Sequence, residues 1–305
     1  VPNPLDPNNV AATAVEFVSF YHDILRQIQQ MYAVGTPGGK ERAIKLYRQY
    51  HYWLHLADTQ ADKWLKENIP LMLQYGDDHG FLSLKSLGFL TVDDSFTQLH
   101  EQAIAGVIAT VKQEMNKVTA QLDRSLLSFV RRVQLATPEQ RAVLEEIAIS
   151  VALGNDTAIT SKRIQQRIVA KAIGGYIQVG NKTLPLNKYA DLLARTHLRV
   201  AYSRGTEMRL QANNVQLVVI SEHNTTCKMC KYIEGKVFSL DGKHPDYPSI
   251  KILPNGGCPI HPHCLHVENG FIVALASEEE LQRVKIDPAT WPFKDTKDKL
   301  IKRAA

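Results

Sequence analysis

The sequence predicts a mainly α-helical protein, with a helical N-terminal region that holds one long helix, followed by a small α+β C-terminal domain with a zinc-binding loop. Three observations carry that expectation. Ile104, Ile108, Val111, Met115, Val118, Leu122, Leu126, Phe129 and Val133 recur every three or four positions, the period of one helix face. Residues 215–221 form a β-branched apolar run that reads as a buried strand. All four cysteines, Cys227, Cys230, Cys258 and Cys264, crowd into one window of the last third.

The elements follow in order. Residues 1–9, rich in Pro and Asn, read as an extended arm. Phe17, Tyr21, Ile24, Ile28 and Met31 share a helix face, which Gly and Pro at residues 35–39 should end. A second amphipathic stretch covers residues 40–74, and Pro70 is expected to kink or break it. Its aromatics, Tyr47, Tyr50, Tyr52, Trp53 and Trp64, follow the apolar stripe and are expected in the core rather than on a base-stacking face. Residues 76–88 read as a loop. Asp93 or Asp94 can cap the long helix after it.

Thr137, Pro138 and Gln140 make a strong helix start, and a basic helix is expected at residues 161–173. Residues 174–186 alternate and contain Gly180-Asn181, a hairpin signal. Asn187 should cap a helix over residues 188–211. An apolar strand is expected within residues 267–275, and Glu278, Glu279 and Glu280 should open a short surface helix. The domain boundaries implied are a helical domain with its arm at 1–135, an α+β domain at 136–276 with the Cys/His loop at 221–268, and a charged tail at 277–305.

Bulk properties narrow the function classes. The chain has 305 residues, of which 44% are hydrophobic and 22% charged, so a sizeable core can be buried. The formal net charge of +5 suits a place near nucleic acid, but no arginine-rich tract demands one. No segment is long and apolar enough to span a bilayer, so no membrane partner is expected. The first residues lack the basic start and apolar core of a signal peptide, which points to an unexported chain. In that setting, clustered cysteines with Cys-x-x-Cys spacing indicate metal rather than disulfides.

The constellation reads Cys227-Lys228-Met229-Cys230, then Cys258-Pro259-Ile260-His261-Pro262-His263-Cys264-Leu265-His266. A Cys-x-x-Cys turn presents two sulfurs to one tetrahedral ion, and a distant second pair must complete it. His261 with Cys264 repeats the spacing; Cys264 with His266 also serves, and Cys258 or His263 could join. Sulfur and imidazole donors favour zinc over calcium or magnesium. Glu234 and Glu268 lie nearby but in no His-Glu-x-x-His pattern, so a filled, structural site is the simpler expectation. A metal-dependent nuclease built on His261, His263 and His266 is the competing enzyme reading, and a zinc-ribbon nucleic-acid binder the competing binding reading.

Other chemistry-bearing residues have plainer expectations. His51, His55, His79, His100, His197, His223 and His244 are scattered and read as surface or packing residues. Asp77-Asp78 and Asp93-Asp94 read as loop and cap residues. Arg195, Arg199, Arg204 and Arg209 lie along one helix, where a solvated face is expected ahead of a phosphate-binding one.

The order of motifs resembles a known family. Leu193-Ala194-Arg195-Thr196-His197 is followed by an apolar strand, Cys227-x-x-Cys230, Gly235-Lys236-Val237-Phe238 and His261-Pro262-x-Cys264-x-His266. Residues 185–270 thereby resemble the C-terminal half of the phage head morphogenesis proteins, the Mu F-like minor head proteins of tailed bacteriophages. His197 stands where that family often has Glu, and Leu265-His266 where it often has Arg-Cys. The resemblance implies a structural, non-enzymatic role inside the virion near the portal vertex, reached from the host cytoplasm during assembly. It implies portal and capsid proteins as partners, packaged double-stranded DNA as a further one, and a structural Zn(2+) held among Cys227, Cys230, His261, Cys264 and His266.

Overall fold

The computed structural model describes residues 10, 12–20, 23, 40–92, 98–135, 176–179, 182–225, 227–287 and 291–292. Helix α1 spans Lys40–Ser86, α2 Gln98–Leu135 and α3 Leu186–Ala212. A hairpin of β1 (Tyr176–Val179) and β2 (Lys182–Pro185) precedes α3. A three-stranded antiparallel sheet follows, ordered β4 (Val237–Ser239), β3 (Leu217–Ile220), β5 (Glu268–Phe271). Short helix α4 covers Glu278–Arg283. The chain is therefore mostly helical with a small C-terminal sheet. The expected arm, the helix end at 35–39, the caps at 93–94, the start at 137–140, the helix at 161–173 and the Gly180-Asn181 turn lie outside the described residues.

Compact units are assembled from separated segments. One comprises Val1–Ala11, Lys66–Ala109 and Ala194–Ala305; the other comprises Ala12–Leu65 and Thr110–Leu193. Both differ from the contiguous 1–135, 136–276 and 277–305 expected, because α1, α2 and α3 each cross a unit boundary.

The second unit is a helical core. Tyr50, Leu54, Ala57, Ala61, Trp64 and Leu65 are buried on α1, and Val111, Met115 and Val118 on α2. Phe17 sits with its ring centroid 4.9 Å from that of Trp64. Tyr50 and Trp64 thus meet the core expectation, whereas Tyr52 is exposed.

In the first unit two expectations are corrected. Of the kink or break expected at Pro70, the break does not occur, and α1 runs on to Ser86. The missing N–H costs about 3 kcal/mol in a helix interior, and burial of Ile69, Met72 and Leu73 around it offsets that cost. Residues 76–86 are helix, not loop. Their glycines misled because they serve packing: a Cβ on Gly76 would fall on the Tyr202 carbonyl, and one on Gly205 on that of Leu73. There α1 and α3 meet backbone to backbone, and Thr206 Oγ1 donates to the Gly76 carbonyl at 2.8 Å.

The same crossing buries charge. Asp77, expected in a loop, is 4% exposed and accepts from Arg209 Nε at 2.9 Å and from Arg209 Nη2. His100 Nε2 lies 3.2 Å from Asp77 Oδ1. Arg199 and Arg209 are both buried, so neither stands on a solvated face nor meets an outside phosphate.

Strand β3 is central and buried on both faces. Val218 and Ile220 enter one apolar cluster with Leu84, Leu210, Phe238 and Ile250; Leu217 enters another with Val237, Tyr247 and Phe271. The outer edge of β5 is covered by α1: Gly270 N donates to Ser83 Oγ at 2.8 Å, and His79 Nε2 lies 3.2 Å from the Glu268 carbonyl oxygen. Part of the expected tail is core, since Val284 and Trp291 are buried.

Candidate metal centre

Two loops leave the sheet and converge. The first follows β3. Lys231 N donates to the Cys227 carbonyl at 3.0 Å and Glu234 N to that of Cys230 at 3.1 Å, which folds the Cys-x-x-Cys segment into a tight knuckle. Gly235, at φ +67°, returns the chain to β4; a side chain there would strike Glu222. The second loop runs from β4 to β5. Cys264 N donates to the His261 carbonyl at 2.8 Å, a turn that places His261 and Cys264 on one side. Ser221 closes the base, exchanging bonds with Val267 at 2.9 and 3.0 Å.

The five residues expected to bind metal come together as two triads sharing Cys230: Cys227, Cys230 and His261, and Cys230, Cys264 and His266. His261 Nε2 lies 3.3 Å from Cys227 Sγ and 3.0 Å from Cys230 Sγ. Cys230 Sγ is 4.0 Å from Cys264 Sγ, and Cys264 Sγ is 3.5 Å from His266 Nδ1. A tetrahedral zinc, with bonds of about 2.3 Å to sulfur and about 2.0 Å to nitrogen, sets its ligand atoms about 3.3–3.8 Å apart. The donor types fit such an ion, and within each triad the measured spacings of 3.0–4.0 Å lie near that range; the triads share only Cys230. The alternative trio of His261, His263 and His266 is not assembled: the first and last belong to different triads, and His263 is exposed outside both.

Electrostatics favour one strong thiolate. A hydrogen bond from the Cys258 thiol is the largest influence holding Cys264 down to about 3; burial opposes it, and bonds from His266 and backbone amides assist. Burial and the neighbouring Cys264 push Cys230 upward. Cys227 is lowered, first by the Cys230 amide. Burial works to lower His266, but its bonds to Cys264 and Glu234 outweigh burial and raise it.

Glu234 carries a role the sequence left unassigned, and His223, expected as a surface or packing residue, adjoins it. Glu234 Oε1 lies 3.1 Å from His266 Nε2 and accepts from the backbone amides of His223 and Thr225 at 3.2 and 3.0 Å. The signal was faint: each stands four residues outside the Cys-x-x-Cys pair.

Helix α3 braces the centre from behind. Arg199 Nη2 donates to the His266 carbonyl at 2.9 Å. Glu268 Oε1 accepts from Cys258 N at 2.7 Å. Burial and the adjoining Glu207 carboxyl lift Glu268 well above the usual carboxylate range, while Glu207 pairs with Arg204 Nη1 at 2.6 Å. Gly257 lies against both carboxyls; a Cβ there would come within 2.8 Å of Glu268 Oε1.

Residues 140–289 match the family model described as phage minor capsid protein 2. That span contains the whole metal centre and extends beyond the 185–270 that carried the resemblance to minor head proteins. No curated protein and no solved structure matches the chain.

Proposed function

Because residues 140–289 belong to the phage minor capsid protein 2 family, we propose that this chain, a structural phage head protein, sits at the portal vertex inside the capsid and aids head assembly, DNA packaging or delivery. The family match is the observation that carries this reading. Its partners include other head proteins; the portal is the specific one proposed, with packaged double-stranded DNA as a further contact. No described helix is long and apolar enough to cross a membrane.

The metal in this reading is a structural zinc. Three thiols and two imidazoles, grouped as two triads that share Cys230, supply more than the four donors it needs. Zinc here would supply a crosslink between the knuckle after β3 and the turn before β5. The role proposed is structural rather than catalytic, since three sulfurs and one imidazole would leave no coordination position open to water.

Co-expression with the portal and major capsid proteins of the same phage tests the placement. A few copies of this chain should remain with portal-containing particles through gradient sedimentation at high salt. Recovery equal from portal-less shells would break the portal assignment. Binding to free DNA that collapses steeply with salt, without particle association, would favour the nucleic-acid-binding alternative instead.

A further inference from the structure

The centre offers five donors, in two triads that share Cys230, to an ion that takes four, so one filled site combines one whole triad with a single further donor from the other. We propose that Glu234 makes the choice: it is the positioning residue that fixes His266 as the nitrogen ligand through Nδ1, leaving His261 outside the coordination sphere. This inference rests on the zinc reading above.

The two histidines differ in how they are held. His266 is 1% exposed and fixed at three points. Its Nε2 faces Glu234 Oε1 at 3.1 Å, its carbonyl accepts from Arg199, and its Nδ1 faces Cys264 Sγ at 3.5 Å, a ligand-to-ligand spacing. A carboxylate at one ring nitrogen requires the proton there, so the lone pair for a metal sits on the other. That nitrogen is the one turned toward the thiolates. His261 is only partly buried, and no partner orients its Nδ1 among the described residues.

The carboxylate is itself fixed before any metal arrives. Glu234 Oε1 accepts from His223 N and Thr225 N as well as from His266, three donors on one oxygen. That saturation also argues against the other use of these residues. His223, Glu234 and His266 have ligand atoms close enough to form a second cation site, but an oxygen already accepting three hydrogen bonds is a poor metal ligand. His223 instead packs its ring against that of His266, with centroids 4.1 Å apart.

The experiment uses the full-length zinc-loaded protein and competition with a chromophoric chelator. Glu234→Gln should weaken zinc binding about 10- to 100-fold, the usual effect of losing an outer carboxylate partner, and His261→Asn should change it less than about 3-fold on the same scale. Long-range proton–nitrogen spectra should show His266 metal-bound at Nδ1 and protonated at Nε2, with His261 free. Glu234→Asp should restore part of the affinity, which a purely packing role would not require. The proposal is overturned if His261→Asn releases the metal while Glu234→Gln retains wild-type affinity, or if two zinc ions bind and His223→Ala removes one. Wild type that binds no zinc through thiolates, read by cobalt substitution as missing thiolate charge-transfer absorption, would overturn the zinc reading itself, and this inference with it.

Discussion

Across residues 50–73 of α1, buried side chains fall at Tyr50, Leu54, Ala57, Ala61, Trp64, Leu65, Ile69, Met72 and Leu73, a helical stripe that orders itself by apolar contact. Across residues 217–271, no strand exceeds four residues. The connections there are held by amides donating to Ser221, Glu234 and Glu268 side chains and by the thiol cluster. The first region repeats one solution along a rod. The second adds to its two apolar clusters polar contacts particular to each connection, and those connections are where a metal crosslink would have the most to add.

Removing metal should break the comparison most visibly. Chelation of the zinc-loaded protein should expose the amides of residues 227–266 to hydrogen exchange while those of residues 50–65 keep their protection. Structural zinc contributes on the order of 10 kcal/mol of binding energy in small metal domains, so the local loss should exceed any single substitution. Equal loss of protection in both regions would show that they unfold as one, and the contrast would fail.

Arg209→Ala should be next. It leaves buried Asp77 without its guanidinium partner, with His100 alone beside it at the α1–α3 crossing, a change that costs about 3–5 kcal/mol, measurable by urea unfolding. A loss under about 1 kcal/mol would mean that the pair behaves as a surface ion pair. Gly205→Ala sharpens the picture further. The added methyl meets the Leu73 carbonyl, and overpacking of this kind costs about 1–3 kcal/mol. An unchanged melting temperature would refute the close approach.

Legibility followed the reach of each interaction. Helix α2 declared itself because its apolar period is written in neighbouring residues, and β3 because a strand buried on both faces needs an unbroken β-branched run. The Cys/His cluster was readable because Cys-x-x-Cys and His-x-x-Cys are local spacings. Asp77, Arg209 and Gly76 were misread because their partners lie more than a hundred residues away, and Pro70 because tertiary burial outweighs a local penalty. Glu234 was seen without a role. Its partner His266 lies 32 residues on, and only the folded knuckle joins them.

The glycine crossing of α1 and α3 acts as an index pin. One residue of slip along a helix is about 1.5 Å, more than a hydrogen bond tolerates, and the mated backbones at Gly76 and Gly205 leave no room for it. Arg199, Arg204 and Glu207 ride on the same helix within two turns of that pin. Whatever the Cys/His loops present at their surface is therefore measured from a fixed datum in the helices, already machined to position before any partner arrives.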